Sequence, residues 1–202
     1  MFEVRIHGRG GQGVVTAAEL LSHAFFADGR HAQAFPSFGS ERTGAPVVAF
    51  CRMADTPIRV REPVVTPDAL VVQDSTLLHQ VDVFGGLKPG GFVLINSTRT
   101  VGQLGLEEME DGRCQILTIP ATVIAREHIG RPMPNLVLLG GLAAFTGLIH
   151  LPALLEAVRQ HFPGSLGDKN VAAATAAYDL VLSLRPTTAG EHTKESAGAH
   201  SA

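Results

Sequence analysis

The first part of the chain shows a strand-like pattern, a glycine-rich turn and a helix-like pattern in succession. Apolar and polar side chains alternate from Phe2 to His7, which predicts a half-buried strand. Residues 8–13 read GRGGQG and form the turn. From Val14 to Phe25 apolar residues recur at spacings of three and four, which is typical of a helix with one buried face. The order is therefore strand, tight turn, helix.

Five further apolar runs predict strands, and turn residues separate them. These runs lie at 31–35, 45–53, 69–72, 92–95 and 115–119. After the turn signal Ala54-Asp55-Thr56-Pro57, we expect residues 58–60 to pair back as a hairpin at a sheet edge. Strands that are apolar on both faces indicate a mostly parallel sheet covered by helices.

The second half of the chain is mainly helical in pattern. Helices are predicted at 121–128, 135–146, 152–161 and 169–183, with Asn135 and Asp168 as N-caps. From Arg185 onward there is no Val, Ile, Leu, Phe, Met, Tyr or Cys, a composition that cannot form a core. We therefore predict a single Rossmann-like α/β domain over residues 1–183, followed by a disordered tail at 184–202.

The charge balance and the sparse metal-binding side chains exclude several function classes. Lys and Arg number 16 and Asp and Glu 19, a net charge of −3, so a basic nucleic-acid-binding face is not expected. Cys51 and Cys114 are too few and too far apart for an iron–sulfur ligand set. The sequence has no metal-ligand spacing of histidines, no GxSxG motif and no Cys–His nucleophile motif. We therefore assign no metal ligand and no catalytic residue to this chain.

The hydropathy pattern predicts neither a signal peptide nor a membrane span. Residues 2–6 alternate apolar with charged side chains instead of forming an apolar leader core. The longest apolar stretch, 136–149, is interrupted by glycines and is shorter than the roughly 20 residues that a bilayer requires. We therefore expect a cytoplasmic protein.

The glycine turn has the spacing and the context of a dinucleotide-binding motif. Gly8 is expected to permit the tight turn, Gly10 and Gly11 the close approach of a phosphate, and Gly13 close packing of the helix. The helix N-terminus adds free N–H groups and the positive end of its dipole. These features predict an anion site, and the alternative is a turn that only packs the helix against the sheet.

The acidic residue that would bind a nucleotide ribose is misplaced. A site for NAD or FAD needs it at the end of the second strand, whereas Asp28 precedes that strand. After that strand comes a loop, 37–44, with three hydroxyl side chains and Arg42, whose planar guanidinium suits phosphate oxygens. The loop predicts a phosphate contact, and the alternative is a solvated loop in which Glu41 and Arg42 pair with water.

The two loops together resemble those of a known family. GRGGQG at 8–13, followed by AFPSFGSERTGAP at 34–46, is similar to the gamma subunit of the 2-oxoacid:ferredoxin oxidoreductases. This is the pyruvate and 2-oxoisovalerate group, with its aryl-oxoacid relatives. The resemblance extends over about residues 2–183 and includes DALVV at 68–72 and PNLVLLG at 134–140. Each motif alone is weakly specific, and the pair is highly specific.

The resemblance implies a multisubunit enzyme that oxidatively decarboxylates a 2-oxoacid to an acyl-CoA. Thiamine diphosphate, Mg and the iron–sulfur clusters are then expected on partner subunits of alpha, beta and delta type. Electrons leave through these partners to ferredoxin or an NAD-linked acceptor. The resemblance leaves open the 2-oxoacid (pyruvate, a branched-chain acid or an aryl acid such as phenylglyoxylate), the final acceptor and the stoichiometry.

For the gamma subunit itself, the resemblance implies a non-catalytic role in holding coenzyme A. The expected contacts are Gly8, Arg9, Gly10, Gly11, Gln12, Gly13, Ser37, Phe38, Gly39, Ser40, Arg42 and Thr43. Family members often have Pro in place of Ser40 and a second basic residue in place of Thr43. We therefore expect this chain to bind the phosphates more weakly, or together with a partner chain. Two alternatives stay open: a self-contained NAD- or FAD-dependent dehydrogenase, and a purely structural assembly subunit.

Overall fold

A computed structural model describes residues 1–37, 43–110 and 113–184. Its strands are β1 (Phe2–Arg9), β2 (His31–Pro36), β3 (Pro46–Ala54), β4 (Ala69–Val72), β5 (Gly91–Asn96) and β6 (Cys114–Ile119). Its helices are α1 (Val14–Ala27), α2 (Glu107–Glu110), α3 (Ala121–Ile129), α4 (Asn135–Thr146), α5 (Leu151–His161) and α6 (Ser165–Leu184). Short 3₁₀ helices lie at Ser75–His79 and Gly102–Leu104.

The strands form one six-stranded sheet in the order β2-β3-β1-β4-β5-β6. β1, β4, β5 and β6 are parallel, whereas β3 lies between β1 and β2 and is antiparallel to both. In this register Ile6 lies opposite Ala49 on β3 and opposite Val71 on β4. The predicted α/β fold is confirmed, with an antiparallel pair added to its parallel half.

Four long helices cover one face of the sheet and form the main core with it. Val4, Ile6 and Val71 lie in this core with apolar side chains of α1, α4, α5 and α6. The first ten residues of α4 are all buried, as a helix with apolar side chains on every face requires. A smaller cluster on the opposite face places Leu70 and Val93 under Leu77 and Leu104 of the two 3₁₀ helices.

Three local predictions were wrong. Residues 58–60 form no strand, because Val60 O and Glu62 O accept hydrogen bonds from the Arg52 guanidinium at 3.4 and 2.5 Å instead of joining a ladder. Asp168 is not an N-cap, since α6 already begins at Ser165. Asn135 does not cap α4 with its side chain either, because that helix begins after Pro134 without a side-chain cap.

The predicted tail falls almost wholly outside the described residues. Leu184 is the last residue of α6, and 185–202 are not described. Within the part of the chain that is described, no helix is both long enough and apolar enough to cross a membrane.

Candidate functional site

The glycine turn connects β1 to α1 and needs glycine for two different physical reasons. A Cβ at Gly8 would lie 2.6 Å from Val14 Cγ2, so this glycine permits close packing of the helix on the strand. Gly11 and Gly13 have positive φ values of 92° and 70°, and a Cβ at Gly13 would lie 2.4 Å from Asn135 Nδ2. Gly8 and Gly13 thus both permit close packing, and Gly11 and Gly13 occupy the positive-φ positions of the turn.

The turn leaves the N-terminal amides of α1 free of helical partners. The first hydrogen bond of the helix runs from Ala17 N–H to Gly13 O at 3.0 Å, so the N–H groups of Val14, Val15 and Thr16 precede it. These three residues line a cavity of about 340 Å³ together with Arg9, Gly10, Gly11, Gly13, Val47 and Met133. We call it the turn cavity. Free amides at a helix N-terminus are suited to binding an anion.

The second predicted loop joins the glycine turn where it is described. Gly10 N–H donates to Ala45 O at 2.9 Å, Gly44 N–H donates to Gly10 O at 3.1 Å, and Gly10 and Thr43 form an isolated bridge. Ser37 N–H donates to Val48 O at 2.8 Å just beyond β2. Phe38, Gly39, Ser40 and Arg42 lie outside the described residues. The two loops therefore meet at Gly10 and Thr43.

The Arg9 side chain is bound within the protein. Its Nε donates to Asp74 Oδ2 at 2.8 Å, and its other nitrogens donate to Gly44 O, Thr76 Oγ1 and Gln80 Oε1 at 2.6–3.1 Å. Partial burial works against ionisation of Asp74, but hydrogen bonds from Thr76 and then Arg9 hold the pKa of its carboxyl below the usual range. Arg9 therefore ties the turn to Gly44 and to the end of β4, and its charge is already partnered.

The remaining polar side chains around the turn act as supports. Gln12 Oε1 accepts from Arg9 N–H at 2.8 Å, which closes the turn. Asn135 Nδ2 donates to Gly13 O at 3.3 Å and so connects α4 to the glycine that precedes α1. Asp74 caps the 3₁₀ helix by accepting from Thr76 N–H at 3.0 Å. The sequence pattern did not predict that Asn135 and Met133 lie at the glycine turn. Both residues are more than 100 positions away from the turn in the sequence.

His7, next to the turn, is a scaffold residue rather than a proton carrier. Burial, reinforced by the neighbouring Arg5 charge, lowers the pKa of its imidazole to about 4. The neutral ring accepts a hydrogen bond from Arg5 Nε at 3.0 Å. Arg5 in turn donates to Val83 O and Gly85 O at 2.8 and 2.6 Å, so the pair holds the 83–85 loop against β1.

The acidic residue considered for a ribose lies at the wrong end of α1. Asp28 follows the last residue of that helix, and its carboxylate is 3.2 Å from His150 Nδ1. In the described ranges no three His, Cys, Asp or Glu side chains come together as a metal site. Burial raises the pKa of the Cys51 thiol, which keeps that sulfur protonated and unreactive.

Comparisons with known proteins were made for the whole chain. Residues 3–180 match the family model described as pyruvate ferredoxin/flavodoxin oxidoreductase. The pyruvate synthase subunit PorC of Methanothermobacter thermautotrophicus is 48% identical over 185 residues, covering 92% of this chain and 98% of that protein. The common subunit gamma of the pyruvate/ketoisovalerate oxidoreductases of Thermococcus kodakarensis is 46% identical over 182 residues, covering 90% and 98%. The crystal structure of pyruvate oxidoreductase subunit PORC from Thermotoga maritima has a TM-score of 0.74 at 35% identity, covering 88% of this chain and 95% of that one.

Proposed function

This chain belongs to the pyruvate ferredoxin/flavodoxin oxidoreductase family as a gamma subunit, and on that premise we propose that its glycine turn binds the phosphate groups of coenzyme A for the assembled enzyme. The observation that carries the proposal is the helix N-terminus of α1, whose first three residues have no helical partner for their N–H groups and line an open cavity together with Gly10 and Gly11. Anions are stabilised at such a terminus by backbone N–H groups and the helix dipole. A pyrophosphate is the part of coenzyme A that fits this chemistry.

The proposed enzyme divides its chemistry among subunits. We propose that partners of alpha, beta and delta type hold thiamine diphosphate with Mg and the iron–sulfur clusters, and that ferredoxin or an NAD-linked acceptor receives the electrons there. Thiamine diphosphate would supply the stabilised carbanion chemistry of 2-oxoacid decarboxylation. We place the assembly in the cytoplasm. The gamma chain, inactive when purified alone, contributes no reacting group.

The task of the turn cavity in this enzyme is positioning. Binding of the phosphates at the α1 N-terminus fixes one end of coenzyme A. The thiol at its other end then reaches an acyl group on the partner subunits. Restricting a reactant in this way removes translational and rotational freedom from the reaction step. The apolar wall of the same cavity, formed by Val14, Val15, Val47 and Met133, suits the flat face of the adenine base.

The positive charge for the phosphates has to come from elsewhere than Arg9. That guanidinium is already paired with Asp74 at 2.8 Å and also donates to Thr76, Gln80 and Gly44, which uses four of its five N–H groups. The backbone amides therefore provide the local contacts, and Arg42 or a cation of a partner subunit provides the neutralising charge. We expect Arg42→Ala to raise the KM for coenzyme A and to leave coenzyme A-independent decarboxylation intact.

A charge reversal at Gly11 tests the proposal directly. Gly11 has φ +92°, and a Cβ there meets no atom of the described residues within 4 Å, so a side chain extends into open space at the turn cavity. Asn and Asp tolerate this backbone conformation to a similar degree and have nearly the same shape. In the assembled enzyme, we expect Gly11→Asp to raise the KM for coenzyme A at least about tenfold above Gly11→Asn, since a carboxylate near a phosphate costs more than about 1.4 kcal/mol.

Gly29 offers a matched control at the opposite end of α1. It has φ +78° and an equally open Cβ position, so Gly29→Asp and Gly29→Asn introduce the same strain and charge away from the cavity. We expect both Gly29 variants to keep the KM of the unmodified enzyme. An equal KM for the two Gly11 variants would favour the purely structural subunit. Turnover of an alcohol or 2-oxoacid with NAD or FAD by the isolated chain would favour the dehydrogenase.

A further inference from the structure

A second cavity lies on the other side of the glycine turn, at the carboxyl ends of β4 and β5. We call it the strand-end crevice; its volume is about 350 Å³. Gln73 and Asp74 follow β4, Asn96 ends β5, and Gln12 comes from the turn itself. Pro132 and Pro134 close the crevice, and they flank Met133, which lines the turn cavity. The two cavities therefore share the turn and the 132–134 segment as a common wall.

The topology of the sheet favours a ligand at this position. From β1 the chain passes to β2 and β3 on one side of the sheet and then crosses to β4 on the other side. In open α/β sheets, ligands bind outside the carboxyl ends of the strands where the direction of winding reverses in this way. The strand-end crevice lies at that reversal, with Gln12 after β1 and Gln73 after β4.

One side chain of the crevice has unused hydrogen-bonding capacity on both of its polar atoms. Asn96 donates to Gln73 O and Thr122 Oγ1 and accepts from Thr122 N–H, at 2.8–3.0 Å. Asp74 and Gln12 are engaged with Arg9. Gln73 is 1% exposed, and both its Nε2 and its Oε1 lack a hydrogen-bond partner among the described residues. Buried amide atoms are nearly always paired, so an unpaired carboxamide in a ligand crevice points to a missing partner.

The chemistry of that partner follows from the carboxamide. It presents an N–H donor and a C=O acceptor, so its partner must supply one acceptor and one donor within reach of it. In coenzyme A the pantetheine arm supplies them from neighbouring groups, since each trans amide points its N–H and C=O in opposite directions, and the adenine base supplies them on one edge. The apolar side chains of the turn cavity suit the base, which leaves the crevice to the arm. The apolar rings of Pro132 and Pro134 also suit the aliphatic carbons between those amides.

Resting on the function proposed above, we propose that the strand-end crevice binds the pantetheine arm of coenzyme A and that the Gln73 carboxamide forms hydrogen bonds with the amide groups of that arm. No hydrogen bond within the described residues holds this carboxamide in its buried position. A rotation of the side chain can therefore present it to the crevice without breaking a hydrogen bond among the described residues. The coenzyme then lies across the glycine turn, with phosphates at α1 and the arm extending past β4.

Two fragments of coenzyme A test this assignment in the assembled enzyme. Pantetheine contains the amides without the nucleotide, and adenosine 3′,5′-bisphosphate contains the base and phosphates without the amides. With both used as inhibitors competing with coenzyme A, Gln73→Leu should weaken inhibition by pantetheine about tenfold and raise the KM for coenzyme A by a similar factor, as expected for two lost hydrogen bonds. Inhibition by the bisphosphate should stay within about twofold of the unmodified enzyme.

Two further variants separate binding from folding. Gln73→Met keeps an unbranched side chain of similar length and should reproduce the effect of Gln73→Leu. Gln33→Leu removes a half-buried glutamine, whose buried Oε1 is also unpaired among the described residues, on β2 at the edge of the sheet. That control should change neither inhibition constant. A melting temperature at or above that of the unmodified chain would show that the Gln73 variants fold.

The outcomes distinguish this inference from the function on which it rests. Unchanged pantetheine inhibition in both Gln73 variants would overturn the assignment of the crevice. Weakened inhibition by the bisphosphate alone would also overturn it, because the base and not the arm would then occupy the crevice. If Gly11→Asp leaves bisphosphate inhibition equal to that of Gly11→Asn, the phosphate site at the turn fails instead, whatever the Gln73 variants do.

Discussion

The two faces of β1 hold the molecule together in different ways. On one face Val4 and Ile6 are fully buried beneath the long helices, in a core of mainly apolar side chains. On the other face Glu3 and Arg5 are bound to polar and charged groups from distant parts of the chain, and His7 accepts a hydrogen bond from Arg5. The apolar face stabilises the layers, whereas the polar face attaches particular loops at particular places. Arg9 continues the polar face to the glycine turn, so this face also positions the candidate site.

The most damaging change on the polar face should be the loss of the Glu3 carboxylate. Arg52 Nε donates to Glu3 Oε1 at 2.7 Å with the arginine side chain 2% exposed, so Glu3→Leu leaves a buried guanidinium without its counter-ion. We expect a loss of about 3–4 kcal/mol in the free energy of unfolding, measured by denaturant titration. Asp55→Asn breaks the exposed pair with Arg30 and should cost less than about 0.5 kcal/mol. Similar losses for both would refute the special role of the buried pair.

A smaller effect should appear as a pH dependence that originates at His7. The unfolded chain takes up a proton at this residue near pH 6.5, whereas the folded chain does so only near pH 4. The unfolded state therefore binds more protons between these values, and stability falls as the pH drops from about 6.5 to 4. His7→Gln retains a neutral acceptor for Arg5, and it should remove up to about 3 kcal/mol of this dependence. A variant whose stability still falls by the full amount would contradict the lowered pKa.

On the apolar face, the largest loss of stability should come from a substitution where two helices are in close contact. A Cβ at Gly140 of α4 would lie 2.0 Å from Ala174 O of α6, a backbone atom that moves only if the helices separate. We expect Gly140→Ala to cost about 2 kcal/mol in the free energy of unfolding despite its better helix propensity. At Gly141 the nearest atom is the flexible Ile119 Cδ1 at 2.8 Å, so Gly141→Ala should cost less than about 1 kcal/mol. Equal effects would mean that the α4–α6 contact does not limit the packing.

The same contrast between faces explains what could be predicted from the sequence. Hydrophobic periodicity reports burial, so the strands of the sheet and the helix at 135–146 were predicted within a few residues. Periodicity does not report the direction of pairing, and the antiparallel insertion of β3 between β1 and β2 was not predicted. Residues 58–60 have the sequence pattern of a strand, but the Val60 carbonyl accepts a hydrogen bond from Arg52 instead. That bond depends on where the fold places a charged side chain, which periodicity does not report.

The candidate site likewise contains a feature that local sequence patterns predict and contacts that they do not. The glycine turn follows from local motif spacing and was predicted, whereas its contact with Thr43 was not. The attachment of Asn135 to Gly13 and of Arg9 to Asp74 joins residues 122 and 65 positions apart, which no local pattern indicates. Gln73 gave no signal either, because an unpaired buried amide is recognisable only once its surroundings are placed.

The central claim is that the phosphates of coenzyme A lie at the N-terminus of α1, and a structure of the assembled enzyme with coenzyme A bound tests it most directly. We expect a pyrophosphate oxygen about 3 Å from the backbone N of Val14, Val15 or Thr16, with Gly10 and Thr43 alongside. Coenzyme A phosphates held entirely by other subunits, remote from the glycine turn, would contradict the account.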